Sequence, residues 1–402
     1  MLCKAEHSNI WQEVDKMELH AVIGSAYGDE GKGTIVAKLA SVVNGNALNV
    51  LTNGGVQRGH TVKFSDGKTF TNKHFGSATY LQAANYFAPS FILDPMQFRV
   101  EYEAYDDSKF CVFYRNKACR WVTPFDIMAN QAEAKLRKLH NTCGMGIWKT
   151  IQRFNKSSTF NKLFDDFIAL DFDQQFKYLE LIAIYYISDY DSFSMWPNEY
   201  KVFFTDRVIR SNLIAHFIED CIFMAQNTQP VDDITKEKGF LTEKLIDNFD
   251  RIIFENGQGL AIGDNGTDDS FATPSKTGYN ALPKEFLDYI KANNKTINLH
   301  YVSRTYETRH GDDSSFGSIE RKTISSYIKE DTNNHYNMWQ GEFKYKPLDI
   351  GQLNARIAKD LSGVTNANVY LDLTHCDEVG PEGIVCPFAK TITYTGSAVV
   401  EK

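Results

Sequence analysis

Seven consecutive residues, Gly28-Asp29-Glu30-Gly31-Lys32-Gly33-Thr34, bring glycines, two acids and a lysine into one short loop. The loop follows the apolar run Leu19-His20-Ala21-Val22-Ile23-Gly24 and precedes Ile35-Val36-Ala37-Lys38-Leu39-Ala40, whose spacing is helical. That order is strand, glycine-rich loop, helix. Glycines let backbone N–H groups turn toward an anion at the helix start, and Lys32 adds a full positive charge, so the chemistry indicated is phosphate binding. The spacing is neither the Walker A pattern nor GxGxxG. A second glycine loop, Asn53-Gly54-Gly55-Val56-Gln57-Arg58-Gly59-His60-Thr61, follows the strand candidate Ala47 to Thr52. Asp29 and His60 together offer a carboxylate that can take a proton or bind a metal, and an imidazole that can donate one near neutral pH. The other histidines read as packed or solvated side chains.

The elements that must position these loops predict an α/β fold: a central, mostly parallel sheet with glycine-rich loops at its strand ends. Val62-Lys63-Phe64 and Thr69-Phe70 suggest a hairpin across Ser65-Asp66-Gly67-Lys68. Further strands are expected at Arg251 to Glu255, ahead of Asn256-Gly257-Gln258-Gly259, at Thr296 to Val302, and at Asn368 to Leu373, ahead of Thr374-His375-Cys376-Asp377. The stretch from about 160 to 250 carries aromatic and aliphatic residues at helical intervals and reads as a helical insertion whose aromatics form core. Residues 1–16 read as an extension, and 17–402 as one decorated domain.

Composition sets the outer limits. The chain has 402 residues, with 43 Lys and Arg against 51 Asp and Glu for a net charge of -8. That excludes a stapled mini-protein and leaves no electrostatic footprint for coating duplex nucleic acid, although a nucleotide pocket needs only local positive charge. The seven cysteines show no CxxC pair, so a reducing cytoplasm is expected rather than a disulfide framework or zinc knuckle. No stretch has the roughly 18 consecutive apolar residues of a membrane span, and the first residues do not read as a secretory signal.

The motifs resemble the adenylosuccinate synthetase family. Gly28-Asp29-Glu30-Gly31-Lys32-Gly33, Asn53-Gly54-Gly55 with Gly59-His60-Thr61, Phe254-Glu255-x-Gly257-Gln258-Gly259, and Leu373-Thr374-x-x-Asp377 stand in that family's order. Weaker echoes are Thr142-Cys143-Gly144-Met145-Gly146-Ile147, Ala272-Thr273-Pro274-Ser275, Tyr306-Glu307-Thr308-Arg309 and Tyr394-Thr395-Gly396. The resemblance implies a ligase joining L-aspartate to C6 of a 6-oxopurine nucleoside monophosphate at the expense of a nucleoside triphosphate. By the same analogy Asp29 takes the N1 proton and, with the Gly59 carbonyl, holds Mg²⁺. His60 donates to the γ-phosphate and Lys32 steadies the phosphates. Gly28, Glu30, Gly31, Gly33, Thr34, Gly59, Thr61, Thr374 and Asp377 are implied on the triphosphate side. Asn53, Gln57, Thr142, Cys143, Gln258 and Thr273 are implied on the monophosphate side. A homodimer is implied as well, with Arg153 as the candidate for an arginine shared between subunits.

Several positions depart from the family pattern. Gln57-Arg58 replace Asn-Ala in the Asn-Ala-Gly-His motif, and Met145 and Trp148 alter the Gly-Arg-Gly-Ile-Gly-Pro loop. His375 replaces a lysine in the base-reading motif, which leaves GTP, ATP and dATP open as donors. The arginine-rich aspartate loop is absent. A carboxylate-bearing substrate still needs cations, and Arg304, Arg309, Lys344 and Lys346 are the candidates. The Gln340-Gly341-Glu342-Phe343-Lys344-Tyr345 stretch is similar to divergent phage-encoded members, some of which convert dGMP to the N6-succinyl precursor of 2-aminoadenine. The acceptor expected is therefore dGMP, with IMP as the alternative. A nucleotide-binding regulator without catalysis and an unrelated NTPase are the competing readings from other classes.

Overall fold

The computed structural model describes residues 17–105, 111–137, 142–239, 242–263, 275–311, 316–331, 334, 336, 338–379 and 399–400. The expected extension 1–16, Thr273 and the Tyr394-Thr395-Gly396 echo lie outside them. The strands are β1 (Glu18–Gly24), β2 (Ala47–Leu51), β3 (His60–Phe64), β4 (Thr69–Asn72), β5 (Ala84–Phe87), β6 (Phe113–Asn116), β7 (Gln229–Val231), β8 (Arg251–Gly259), β9 (Ile297–Arg304), β10 (Tyr306–His310), β11 (Phe343–Pro347), β12 (Ala367–Thr374) and β13 (Val399–Val400). The helices are α1 (Lys32–Ser41), α2 (Pro95–Ala104), α3 (Pro124–Arg137), α4 (Ile147–Lys156), α5 (Phe164–Ile168), α6 (Phe172–Ser188), α7 (Tyr190–Met195), α8 (Asn198–Thr205), α9 (Arg207–Gln226), α10 (Lys284–Ala292), α11 (Arg321–Ile324) and α12 (Ile350–Asp360).

Eight strands form one sheet in the order β12-β9-β1-β8-β2-β5-β6-β7, and each neighbouring pair is parallel. A parallel sheet is covered on both faces, so its inner strands can be apolar throughout. Every residue of β2 and β8 is buried, as is β1 beyond Glu18. A polar chain crosses three neighbouring strands: His20 Nδ1 lies 3.0 Å from His300 Nε2, and His300 Nδ1 lies 2.8 Å from Asp372 Oδ2. Because the strands run the same way, Gly24, Gly259, Arg304 and Thr374 all end at one edge, where such folds bind ligands. The anticipated hairpin is present as β3 and β4, paired antiparallel from His60–Asn72 to Lys63–Thr69.

The region from 164 to 226 is helical, as its periodicity predicts. Capping fixes the starts: Asp171 and Gln174 form a capping box on α6, and Asp206 accepts from Val208 and Ile209 N–H at the start of α9. Trp121, Phe164, Phe167, Tyr178 and Phe217 are buried in one cluster shared with the sheet residues Phe87 and Phe113, so the aromatics are core. Removing an indole or benzyl group from such a cluster costs about 3–5 kcal/mol. The helical expectation did not anticipate β7, which joins the main sheet as its edge strand. Three residues carry no readable period, and Pro230 inside them is tolerated because an edge strand has one unpaired side. No helix among the described residues is long and apolar enough to cross a membrane.

Candidate active site

The first glycine loop is braced from within. Glu30 Oε1 accepts from the backbone N–H of Ala26 at 2.9 Å and of Gly28 at 2.8 Å, and Glu30 Oε2 pairs with Lys32 Nζ at 2.8 Å. Lys32 Nζ also donates to the Gly28 carbonyl at 2.6 Å, and its side chain is fully buried. A β-carbon on Gly24 would sit 2.4 Å from Glu30 Oε2, and one on Gly259 would sit 2.6 Å from Glu30 Oε1, so the ends of β1 and β8 must be bare for this pair to fit. The full positive charge expected from Lys32 is therefore neutralised inside the loop. Glu30 organises the loop from beneath.

Two strand ends hold the loop from the other side. Arg304 Nε donates to the Asp29 carbonyl, and Thr374 Oγ1 donates to the Glu30 carbonyl at 2.7 Å. Asp29 is half-buried. Burial pushes its carboxyl above the usual range, with Glu30 adding to the effect against His310, Arg304 and Lys32. Asp377, by contrast, is exposed and pairs with Lys329 Nζ at 3.2 Å. His375, between them, is held below its usual pKa at about 3, chiefly by burial, so its ring is neutral.

His60 begins β3. Its Nδ1 lies 2.5 Å from Glu255 Oε1, and its Nε2 is buried with no hydrogen-bond partner. Glu255 also accepts from Ser77 Oγ at 2.5 Å and from Ser77 N–H at 3.0 Å, and Arg58 Nη1 stands 3.4 Å away. Burial favours the neutral acid, but Arg58, His60 and Ser77 outweigh it and hold Glu255 well below the usual carboxylate range. Burial lowers His60 to about 4 despite that carboxylate, which leaves a neutral ring with Nδ1–H donated to Glu255. Arg58 is itself fixed by the carbonyls of Lys73, at 3.0 Å, and Phe75. Gly59 is exposed, and Thr61 Oγ1 is 2.9 Å from Thr71 Oγ1 on the neighbouring strand.

The monophosphate candidates divide. Asn53 Nδ2 donates to Ser275 Oγ and the Lys276 carbonyl, and its Oδ1 accepts from Gly257 N–H at 2.8 Å and Thr52 Oγ1 at 3.0 Å. With its four hydrogen bonds filled by protein, Asn53 braces the site. Gln57 differs: its Nε2 is buried without a partner. Thr142 and Cys143 lie in a loop held by Asn130 of α3, which accepts from Thr142 Oγ1 at 3.0 Å and Gly146 N–H at 3.2 Å. Burial pushes the Cys143 thiol up to about 11, so it is protonated at neutral pH. Gln258 is buried near the end of β8.

The cationic candidates converge around Tyr27, just before the first loop. The Arg309 guanidinium stands 4.9 Å from its ring centroid, and Lys346 Nζ and the Arg356 guanidinium each stand 5.7 Å away. Lys346 Nζ pairs with Glu307 Oε2 at 2.8 Å, and Arg356 binds the other oxygen of the same carboxylate. Lys344 faces Arg309 across the β10–β11 pair. Arg304 pairs with Asp331 at 2.9 Å. Arg153 is not available to a second subunit. It is completely buried, paired with Asp126 at 2.9 Å through two nitrogens and donating to the Trp121 and Phe160 carbonyls.

Sequence reasoning did not single out Glu255, Ser77, Asn130 or Arg356 as site residues. Their partners stand far away in the chain, and only Glu255, inside a quoted motif, carried any signal.

Comparison with known proteins adds an independent line. The family model for adenylosuccinate synthetase matches residues 21–377. The adenylosuccinate synthetase of Borrelia duttonii is 30% identical over 126 residues, 31% of this chain and 28% of that protein. The Borrelia turicatae enzyme is 32% identical over 117 residues, 29% of this chain and 26% of its own length. The aligned portion thus spans just over a quarter of these relatives. Among solved structures, the fully ligated adenylosuccinate synthetase of Plasmodium falciparum superposes with a TM-score of 0.63 at 16% identity, covering 88% of this chain and 76% of that one. Cyanophage S-2L succinoaminodeoxyadenylate synthetase, bound to dGMP and dATP, gives 0.58 at 13% identity, covering 88% and 84%. These superpositions show a shared fold, and the family match over most of the chain shows more: the chain belongs to the adenylosuccinate synthetase family.

Proposed function

We propose that this protein joins the amino group of L-aspartate to C6 of a 6-oxopurine nucleoside monophosphate, with conversion of a nucleoside triphosphate to diphosphate and phosphate. The observation that carries this reading is the His60–Glu255 pair, with its open Nε2, on the loop next to the one that holds Asp29. A purine 6-oxygen is a poor leaving group and must first become a phosphate ester. Asp29 takes the N1 proton, a task suited to a carboxyl whose proton affinity is raised. The 6-oxygen attacks the γ-phosphorus and the diphosphate leaves. A γ-phosphate at His60 Nε2 supplies the negative charge that favours a protonated ring, so an imidazolium held between Glu255 and the phosphate donates as charge develops on the bridging oxygen. The aspartate amine then attacks C6, phosphate departs with the former 6-oxygen, and the amine loses a proton.

Mg²⁺ fits this arrangement. Such ions are held by one or two carboxylates plus substrate phosphates, and the half-buried Asp29 carboxylate with the exposed Gly59 carbonyl would hold one and help neutralise the transferring phosphoryl group.

dGMP is our favoured acceptor, because Gln57, Met145, Trp148 and the Gln340–Lys346 stretch replace the loops of cellular enzymes, and a structural neighbour was solved with dGMP and dATP. Retention of Asp29 argues for the ordinary mechanism and permits either acceptor, so the second reading is an enzyme acting on IMP with GTP. Both readings include a homodimer in the cytoplasm. The test is an acceptor panel of dGMP, GMP, dIMP and IMP with Mg²⁺, aspartate and each of GTP, ATP and dATP, scored by phosphate release and by the mass of a succinyl-purine product. Turnover fastest with dGMP supports the favoured acceptor, fastest turnover with IMP supports the alternative, and none with any acceptor removes the proposal.

A further inference from the structure

A surface cleft of about 550 Å³ opens where the chain after β6 meets the segment joining α4 to α5, and it shares no residue with the two glycine loops. That volume lies in the range of small-molecule sites. Two cations line it, Arg120 and Lys162, with Asn155 and Asn161 at its exposed rim and Phe154 as an apolar wall. Arg120 is half-buried, and among the described residues its guanidinium has no hydrogen-bond or ion-pair partner. Burial holds it below its ordinary pKa, so the protein leaves the cost of desolvating this cation unmet. The acid in the cleft, Asp166, is exposed and does not offset the Arg120 charge. Both cations stand on backbone that is already fixed. The Arg120 carbonyl accepts from Leu93 N–H at 2.9 Å, Lys162 N–H donates to the Tyr178 hydroxyl at 3.0 Å, and the Lys162 carbonyl accepts from Trp121 Nε1 at 2.9 Å. Phe164 N–H donates to the Cys119 carbonyl at 3.2 Å and ties the two segments together. Little ordering of the backbone therefore remains for a ligand to impose.

We propose that this cleft is a second anion site of the protein, which binds a phosphate group between Arg120 and Lys162 with the Asn155 and Asn161 amides at its rim. A planar carboxylate is satisfied by one guanidinium fork, whereas a tetrahedral dianion also uses the ammonium and amide donors that come from a separate segment. Phe154 leaves room for the organic part of a phosphate monoester, so the phosphate belongs either to such an ester or to the free ion. The site stands independently of the ligase reading, since no residue of the phosphoryl-transfer machinery lines it.

The test is calorimetric titration of the full chain with inorganic phosphate and with ribose 5-phosphate. It compares the wild type with Arg120→Gln and Lys162→Met, each checked for folding by near-ultraviolet circular dichroism. Lys177→Gln, which removes an exposed cation of α6, controls for general charge. Phosphate held at the glycine loops is untouched by either cleft variant, so the difference between the chains isolates the cleft. The expected result is a binding event whose Kd rises about tenfold or more in Arg120→Gln and in Lys162→Met, and which Lys177→Gln leaves in place. A loss for both ligands assigns the cleft to phosphate esters, and a loss for inorganic phosphate alone assigns it to the free ion. Titrations unchanged in both folded variants, or an equal loss in all three, would overturn the site. If Arg120→Gln does not fold, Lys162→Met gives the same reading, because the backbone hydrogen bonds of Lys162 to Tyr178 and Trp121 do not use its ammonium.

Discussion

His60 Nδ1 stands 2.5 Å from Glu255 Oε1, and these residues lie 195 positions apart in the chain. The contact joins the second glycine loop to β8 and leaves one ring nitrogen, Nε2, buried and open. A carboxylate behind an imidazole fixes the ring's tautomer and stabilises the cation that forms during proton donation. Glu255→Gln should therefore lower kcat by about a hundredfold or more with little change in KM, since general acid–base steps contribute about 10²–10⁴. An unaltered kcat would show that His60 needs no such support. Asp29→Ala and His60→Ala should abolish the chemistry while thermal melting stays cooperative.

Glu30 and Lys32 form a pair sealed beneath the first loop. Breaking a buried pair by removing one partner leaves an uncompensated charge and costs about 3–5 kcal/mol. Glu30→Gln should lower unfolding free energy in urea by that order and weaken triphosphate binding, because the same carboxylate holds the Ala26 and Gly28 N–H groups. A loss of binding at full stability would instead mean that Glu30 touches the ligand.

Arg153 and Asp126 form a second such pair, further tied by the Tyr186 hydroxyl at 2.6 Å. Arg153→Met should destabilise the chain by about 3 kcal/mol or more without changing its sedimentation behaviour. Dissociation of an oligomer with unchanged unfolding would contradict the assignment of Arg153 to the core.

Acid should unfold the protein earlier than carboxylate protonation alone would. Burial holds His20 and His60 at about 4, and His74 well below its usual value. Their unfolded value is about 6.5, so between these limits the unfolded chain binds more protons than the native one and stability falls as pH drops. His20 and His60 each contribute up to about 3 kcal/mol of that loss, complete only below about pH 4, and His74 acts in the same direction. Denaturant midpoints measured between pH 7.5 and 5 should decline, and His20→Gln should flatten the slope. Midpoints constant over that range would contradict the sign.

The sequence exposes what is local. The strand, glycine loop and helix around Gly28 to Ala40 and the hairpin at Ser65 to Lys68 follow from turn residues and short periodic runs, and both are present. It hides what depends on distant partners. Lys32 looked like a free positive charge because nothing local shows that Glu30 folds beneath the loop. The bracing role of Asn53 is not legible in the sequence because Ser275, Lys276 and Gly257, its partners, are over 200 residues away. Arg356 gave no signal at all, since α12 reads as an ordinary amphipathic helix until Glu307 and Tyr27 are seen beside it.

The central claim is that the purine 6-oxygen is phosphorylated before aspartate displaces it. Acceptor labelled with ¹⁸O at the 6-position, incubated with Mg²⁺, aspartate and triphosphate, tests this directly by mass spectrometry of the released phosphate. The account predicts one ¹⁸O in each phosphate formed with a succinyl product, and no labelled phosphate from the His60→Ala variant. Unlabelled phosphate released alongside a succinyl product would contradict it.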